Sequence, residues 1–280
     1  MTRVGIVTDS ASDLDAAQAD TLGIEVVPLT IRFGDEELVD REELSTTEFY
    51  RRMATSPHMP ETAAPAPGAF AAAFERLAAR GAEQVVCINL SAGLSATFQS
   101  ARTAAEGLDS DLDVRVVDSR SITAGLGTQV LLAAQAAAAG ADADAVVALV
   151  EALRERTRVI GVLDTLDNLK KGGRIGGAQA LLGSILSVKP AIDLSTGVVV
   201  EAGKPRTRKK ALRWLADQVE AAGAIEHLSV MHGGAPDVEE FLDLLGERHD
   251  RGAIRVDYIG AVIGSHGGPR VIGVAFLAPA

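Results

Sequence analysis

A chain of 280 residues, 47% apolar and 23% charged, has the composition of a globular protein with room for two domains and excludes a disordered one. With 27 Lys and Arg against 38 Asp and Glu, the net charge of −11 argues against broad binding to nucleic acid or to an anionic membrane. The single cysteine, Cys87, permits neither an internal disulfide nor a cysteine-rich zinc site, which fits a reducing compartment. The N-terminus reaches Asp9 after too short an apolar run for a signal peptide. The uncharged stretch from Ser121 to Ala141 is long enough to span a bilayer, but it is alanine-rich and carries Thr123, Thr128, Gln129 and Gln135. It reads as a buried helix, and the chain is expected in the cytoplasm.

The first half alternates β-branched runs with helical segments. Strands are expected at Val4–Thr8, Ile24–Thr30, Gln84–Leu90 and Val114–Asp118, and helices at Asp13–Thr21, Thr46–Ala54, Ala69–Arg80 and Ala96–Gly107. Near-continuous apolar strands alternating with helices predict a parallel sheet covered on both faces, with ligands at the carboxyl ends of its strands. Residues 56–68 hold four prolines in thirteen positions, which excludes a regular helix and favours a stiff loop lying over the sheet. Helices Ser121–Ala139 and Asp142–Arg156 are expected to close an N-terminal domain of residues 1–156.

A C-terminal domain of residues 157–280 follows. It reads as strand Thr157–Leu163, helix Leu166–Lys171, a glycine-rich turn, and an apolar segment Ala178–Val188. A hairpin comes next, Ala191–Leu194 with Val198–Glu201 across Ser195-Thr196-Gly197. Helix Arg208–Ala222, strand His227–Met231, helix Pro236–Gly246 and strands Ala253–Ile259 and Val271–Leu277 complete a mixed or antiparallel sheet with helices. The fold class is therefore α/β in two domains.

Nucleotide signatures fail on spacing. Gly197 to Gly203-Lys204 has one residue too many for a phosphate loop, and Pro205 stands where a magnesium-binding hydroxyl is needed. Gly172-Gly173-Arg174-Ile175-Gly176-Gly177 follows no strand and lacks the dinucleotide spacing. Histidines 58, 227, 232, 249 and 266 show no metal-ligand spacing. Gly93-Leu94-Ser95-Ala96-Thr97 lacks the second glycine of a hydrolase elbow, although Ser95 and His266 with a nearby Asp9 would mimic a serine hydrolase.

Three side chains remain. Ser95 stands where a strand and a glycine turn give way to a helix, a place for an N-cap or for binding a carboxylate or phosphate. Thr62 is the one hydroxyl in the middle of the proline-rich loop, and His266 lies in a glycine-rich turn expected between two strands. Each has an ordinary structural explanation when taken alone.

Taken together, the segments resemble one family. Val7-Thr8-Asp9-Ser10-Ala11-Ser12-Asp13-Leu14, Thr62-Ala-Ala-Pro65-Ala-Pro67-Gly68, Ser91-Ala-Gly-Leu-Ser95-Ala-Thr97-Phe98-Gln99, Asp164-Thr165-Leu166, Leu169-Lys170-Lys171-Gly172-Gly173-Arg174-Ile175, Lys189-Pro190 and Gly264-Ser265-His266 run in order from end to end. The chain resembles the DegV family of bacterial fatty-acid-binding proteins, which serve as the acyl-presenting subunit of a fatty acid kinase. The resemblance implies a two-domain α/β fold with a ligand tunnel near the domain interface. It also implies a long-chain fatty acid as ligand, no other cofactor, no metal, and no catalytic residue in this chain. Thr62, Ser95 and His266 match the positions that hold the fatty acid carboxylate, and the kinase partner converts that carboxylate to an acyl phosphate. Ala63, Ala64, Ala66, Ala96, Phe98, Gly267 and Arg270 depart from the usual family residues around these positions.

Two basic clusters, Lys170-Lys171 with Arg174 and Arg206, Arg208, Lys209 with Lys210, stand apart from the acidic balance. Cations at a helix start oppose its dipole, so Arg206 and Arg208 are expected to dock the kinase or neutralise the transferring phosphate. Transient contact with a membrane surface is expected for lipid exchange. The alternatives predict different behaviour: an esterase built on Ser95 and His266 turns over esters, and a transcription regulator binds DNA.

Overall fold

The computed structural model describes residues 3–183 and 188–279. In chain order the first half is β1 (Val4–Asp9), α1 (Ala16–Leu22), β2 (Glu25–Val27), β3 (Thr30–Phe33), β4 (Glu36–Val39), α2 (Thr46–Thr55), β5 (Glu61–Ala63), α3 (Pro67–Ala79), β6 (Gln84–Asn89), α4 (Thr97–Glu106), β7 (Asp113–Asp118), α5 (Thr123–Ala138) and α6 (Ala143–Arg156). The second half is β8 (Thr157–Val162), α7 (Asp167–Lys171), β9 (Ala191–Asp193), β10 (Val200–Gly203), α8 (Arg208–Ala221), β11 (Glu226–His232), α9 (Val238–Gly246), β12 (Arg255–Tyr258), α10 (Ala261–Gly267) and β13 (Ile272–Leu277).

Strands β2-β1-β6-β7 form the expected parallel sheet. Its strands are apolar almost throughout because both faces are covered: Val7, Val85 and Cys87 pack with Phe70, Phe74 and Ala101 of α3 and α4. The alternate residues Ile6, Val86 and Ile88 face α5 and α6. The second sheet, β10-β9-β8-β13-β11-β12, is mixed, antiparallel except for β11 with β12. Its outer face packs on α8 and α9 through Leu212, Leu215, Phe241 and Leu245. Its inner face shares one core with α5 and the first sheet. Helix α5 thus lies between the two sheets, buried on every side over its first eight residues. None of the described helices is long and apolar enough to cross a membrane.

Three expectations need correction. The run Ile24–Thr30 is two strands, because Pro28 has no N–H for a ladder and the chain there leaves the parallel sheet. Beyond the break, β3 joins a small antiparallel sheet, β4-β3-β5. Gly34, at φ +62°, turns the β3–β4 hairpin. The proline-rich segment is not all loop, since Glu61–Ala63 forms β5, which pairs with β3 and sets Thr62 opposite Ile31. His266 is not in a turn but in the last turn of α10. The apolar segment expected at Ala178–Val188 begins as a 3-10 turn over Gly176–Gly183, and residues 184–187 lie outside the described residues.

Candidate functional site

An apolar cavity opens between α5, the inner face of the mixed sheet, and the loops at the carboxyl ends of the parallel strands. Counted with the open space at its mouth, it spans about 870 Å³. Its walls are mainly Leu, Ile and Val, and its polar lining side chains are Thr62, Ser95, Thr123, Arg174 and His266. The three residues singled out in the sequence therefore reach one cavity from three separate elements.

Thr62 and His266, 204 residues apart, meet directly: Thr62 Oγ1 lies 2.9 Å from His266 Nε2. Strand β5 delivers the threonine and α10 delivers the histidine. Burial, with the nearby Arg174 charge adding to it, pushes the His266 pKa down to about 4, so the imidazole is neutral near pH 7. Its Nδ1 is buried without a hydrogen-bond partner and faces Gly172, where a side chain would collide with it.

Of the two roles open to Ser95, the N-cap position itself is not its place. Helix α4 starts at Thr97 with Ala96 at the cap position, and the Ala96 side chain makes no cap hydrogen bond. Ser95 instead lies just before the helix, its Oγ 2.8 Å from Thr97 Oγ1 and accepting from the Thr97 N–H at 3.3 Å. The hydroxyl pair lies beside the unpaired N–H groups of the first turn, a setting that favours a negative group.

In the sequence Arg174 belongs to a basic cluster with Lys170 and Lys171. It is half-buried and lines the cavity; its Nε donates to Leu94 O at 3.0 Å and its Nη1 to Gly172 O at 2.6 Å. It braces the backbone at Leu94, next to Ser95, and at Gly172, which His266 faces, and is the one charged side chain among the described cavity residues. Its position inside the Lys-Lys-Gly-Gly-Arg segment was the only available signal. Thr123 gave no signal at all. It sits at φ +46°, an outlier for a β-branched residue, and its hydroxyl donates to buried Asp13 at 2.6 Å.

A hydrolase relay is not assembled. His266 Nε2 is taken by Thr62 and Ser95 is paired with Thr97. Asp9 holds its own surroundings, accepting from Ala11 N at 3.1 Å, Asn89 Nδ2 at 3.1 Å and Leu90 N at 2.9 Å. Among the described residues no cluster of His, Cys, Asp and Glu is arranged to hold a metal.

The two arginines proposed for docking differ. Arg206 is exposed. Arg208 is largely buried and forms a two-pronged pair with Asp237, Nε to Oδ2 at 2.7 Å and Nη2 to Oδ1 at 2.9 Å. That pair holds the Asp237 carboxyl below the usual carboxylate range. It also offsets the clash of cations with the α8 dipole, and Thr207 caps the same turn.

A DegV domain-containing protein of Streptomyces coelicolor is 40% identical over 275 residues, 97% of each chain. One from Listeria innocua is 34% identical over 278 residues, 98% of each. Among solved structures, a DegV family protein from Thermus thermophilus, described for its fatty acid binding, superposes with a TM-score of 0.89 at 34% identity, covering 99% of this chain and 100% of that one. DegV from Bacillus subtilis, described as a fatty acid binding protein, gives 0.86 at 29% identity over the whole of both chains. A stearic acid-binding protein from Eubacterium ventriosum gives 0.84 at 26% identity, covering 99% and 98%. Residues 3–279 match the family described as "Uncharacterised protein, DegV family", and the chain belongs to the DegV family.

Proposed function

We propose that this protein binds a long-chain fatty acid, with the acyl chain in the apolar cavity and the carboxylate at Thr62, Ser95 and His266. In this reading it presents that carboxylate to a partner kinase in the cytoplasm and is not itself the catalyst. Residues 1–156 and 157–280 are the two units between which the acyl chain lies, and lipid is exchanged during brief contact with a membrane surface. The observation that carries the reading is the convergence of two hydroxyls and a neutral imidazole on an otherwise apolar cavity, in a family of which the solved members from Thermus thermophilus and Bacillus subtilis are described as fatty-acid-binding.

The energetics are consistent with it. Burial of each methylene contributes roughly 0.8 kcal/mol, so a long chain supplies ample affinity. The carboxylate is the costly part, because burying it without partners costs several kcal/mol. With Nε2 of His266 protonated, the imidazole donates to Thr62 Oγ1, and the Thr62 hydroxyl is left to donate to the ligand. That tautomer leaves Nδ1 as a bare acceptor facing Gly172, which is less costly than a buried N–H without a partner.

A carboxylate held by neutral donors stays nucleophilic. One of its oxygens attacks the γ-phosphorus of ATP, an O–P bond forms, the bond to the β-phosphate oxygen breaks, and ADP leaves. Arg174 and the exposed Arg206 are the cations available to the phosphoryl group and to the kinase surface.

Mass spectrometry of organic extracts from the purified protein tests the binding step, with one long-chain fatty acid per chain expected. Extracts at background, together with no uptake of added fatty acid, would overturn the reading. Incubation with ATP and a fatty acid kinase tests presentation by formation of acyl phosphate. Ester turnover by the isolated chain would favour the hydrolase alternative at Ser95 and His266.

A further inference from the structure

A second cleft lies along the same seam as the acyl cavity. Ile122, just before α5, and Thr123, its first residue, line the cavity, and Thr128, Leu131, Leu132 and Gln135, further along the helix, line the cleft. Strand β11 makes the same division, with Met231 in the cavity and Ser229 in the cleft. The step from Thr123 to Thr128 is about 7.5 Å along a helix. The step from Met231 to Ser229 is about 6.7 Å along a strand. The two openings are thus successive stations between the same pair of elements.

The sheet surface beneath this seam is low. Gly161 pairs with Gly273, Gly273 with Met231, and Ala275 with Ser229, all in register across β8, β13 and β11. Side chains at positions two apart share a face, so glycine, alanine and serine pave the way from cavity to cleft. Met231 stands at the boundary, and an unbranched thioether repacks at little cost when a chain presses on it.

The cleft differs from the cavity in chemistry. Around Leu131 and Leu132 it presents Gln18, Thr128, Gln135, His227, Ser229 and Arg255. Ser229 is 3% exposed and Thr128 9% exposed, and both line the cleft. His227 is held at φ +53° where β11 shifts register against β13, so the strand bends at the cleft. An apolar methyl terminus leaves these hydroxyls unused.

We propose that this cleft receives the far end of the bound acyl chain and accepts a polar terminus there, so that the ligand class extends to long-chain fatty acids bearing a terminal hydroxyl. The inference rests on the fatty-acid reading above and assigns the opposite end of the ligand. Ser229 and Thr128 are the partners of the terminal hydroxyl, and Met231 yields to let the chain pass.

The test is equilibrium binding of hexadecanoic acid and ω-hydroxyhexadecanoic acid to the delipidated full chain. The two are expected to bind within about threefold of each other. In a closed apolar pocket the unpaired hydroxyl would weaken binding by at least about tenfold. The double variant Thr128→Val with Ser229→Ala is expected to keep hexadecanoic acid binding and to lose about tenfold for the hydroxy acid. Where the double variant also loses hexadecanoic acid, the milder Ser229→Ala takes its place, with hexadecanoic acid again the control for folding. Failure of the wild type to bind hexadecanoic acid would defeat the fatty-acid reading itself. Normal hexadecanoic acid binding with a tenfold weaker hydroxy acid, or hydroxy-acid affinity unmoved by the variants, would defeat this inference alone.

Discussion

Thr62 pairs with His266 and Ser95 with Thr97, and in the proposed carboxylate site each substitution has a distinct expected effect. Ser95→Ala removes one hydroxyl from a carboxylate site and should weaken fatty acid retention by about 1–3 kcal/mol. Thr62→Val, at nearly constant volume, should act similarly and also deprive His266 Nε2 of its 2.9 Å partner. Because the groups share one ligand, the Ser95→Ala and Thr62→Val losses should be non-additive in a double-mutant cycle. Retention that both substitutions leave untouched would remove these residues from the site. Acid should act on the same histidine. Its folded pKa near 4 lies below the ordinary 6.5, so the fold binds fewer protons than the unfolded chain between those values. The stability this contributes, on the order of 3 kcal/mol, is present above about pH 6.5 and lost as pH falls toward 4. Asp9 and Asp40 run the other way. Burial raises both to about 6, and protonation on acidification relieves the cost of their charge. His266→Gln should therefore gain stability relative to the wild type as pH falls from 7 to about 4.5. Melting curves that stay parallel across that range would show the imidazole is not the titrating group.

Helix α5 decides how closely the two sheets approach. A Cβ on Gly127 would sit 2.6 Å from the Ser12 carbonyl oxygen, and one on Gly125 would sit 2.5 Å from Val159 Cγ2. Backbone cannot yield as a flexible side chain does, so Gly127→Ala should destabilise by about 1–3 kcal/mol. Gly68, early in α3, meets nothing within 4 Å, and Gly68→Ala there should be neutral or stabilising by up to about 1 kcal/mol. Denaturant midpoints for the two variants check the contrast, and equal midpoints would show that α5 is not held at van der Waals contact. Helix α10 depends on the same kind of fit. Gly264 packs under Phe49 and Tyr50, Tyr50 Oη donates to Ile259 O at 3.0 Å, and Ser265 Oγ donates to Ala261 O at 2.7 Å. These contacts hold in helical form a segment whose glycines and β-branched residues would not choose it.

At the scale of the whole molecule, binding and docking should separate. A fatty acid that binds only the folded chain raises its apparent stability by mass action, so delipidation should lower the melting temperature and added fatty acid restore it. Arg206→Ala should leave retention and melting unchanged and reduce kinase-dependent acyl-phosphate formation, most strongly at low salt. Arg208→Ala should instead destabilise by about 3 kcal/mol, because it leaves the partly buried Asp237 without its cation. Loss of bound fatty acid from Arg206→Ala would remove that residue from a docking role.

The sequence alone determined what depends on local pattern. Continuous apolar strands alternating with helices required a covered parallel sheet, and β1, β6 and β7 lie within a residue of where that pattern put them. The ordered motifs were enough to bring Thr62, Ser95 and His266 forward as a set. Tertiary structure decided what those residues touch. Nothing in Gly260 to Gly267 signalled a helix, because its stability comes from Phe49 and Tyr50, which are over 200 positions away. The three-residue strand that carries Thr62 was invisible for the same reason: a strand that short exists only through its partner, and pairing with β3 supplies it. Arg174 read as one more surface cation until the fold turned it toward the cavity beside His266. Local propensity is a sum over neighbours in sequence, whereas a site is a set of distances between residues far apart in it, and only packing fixes those.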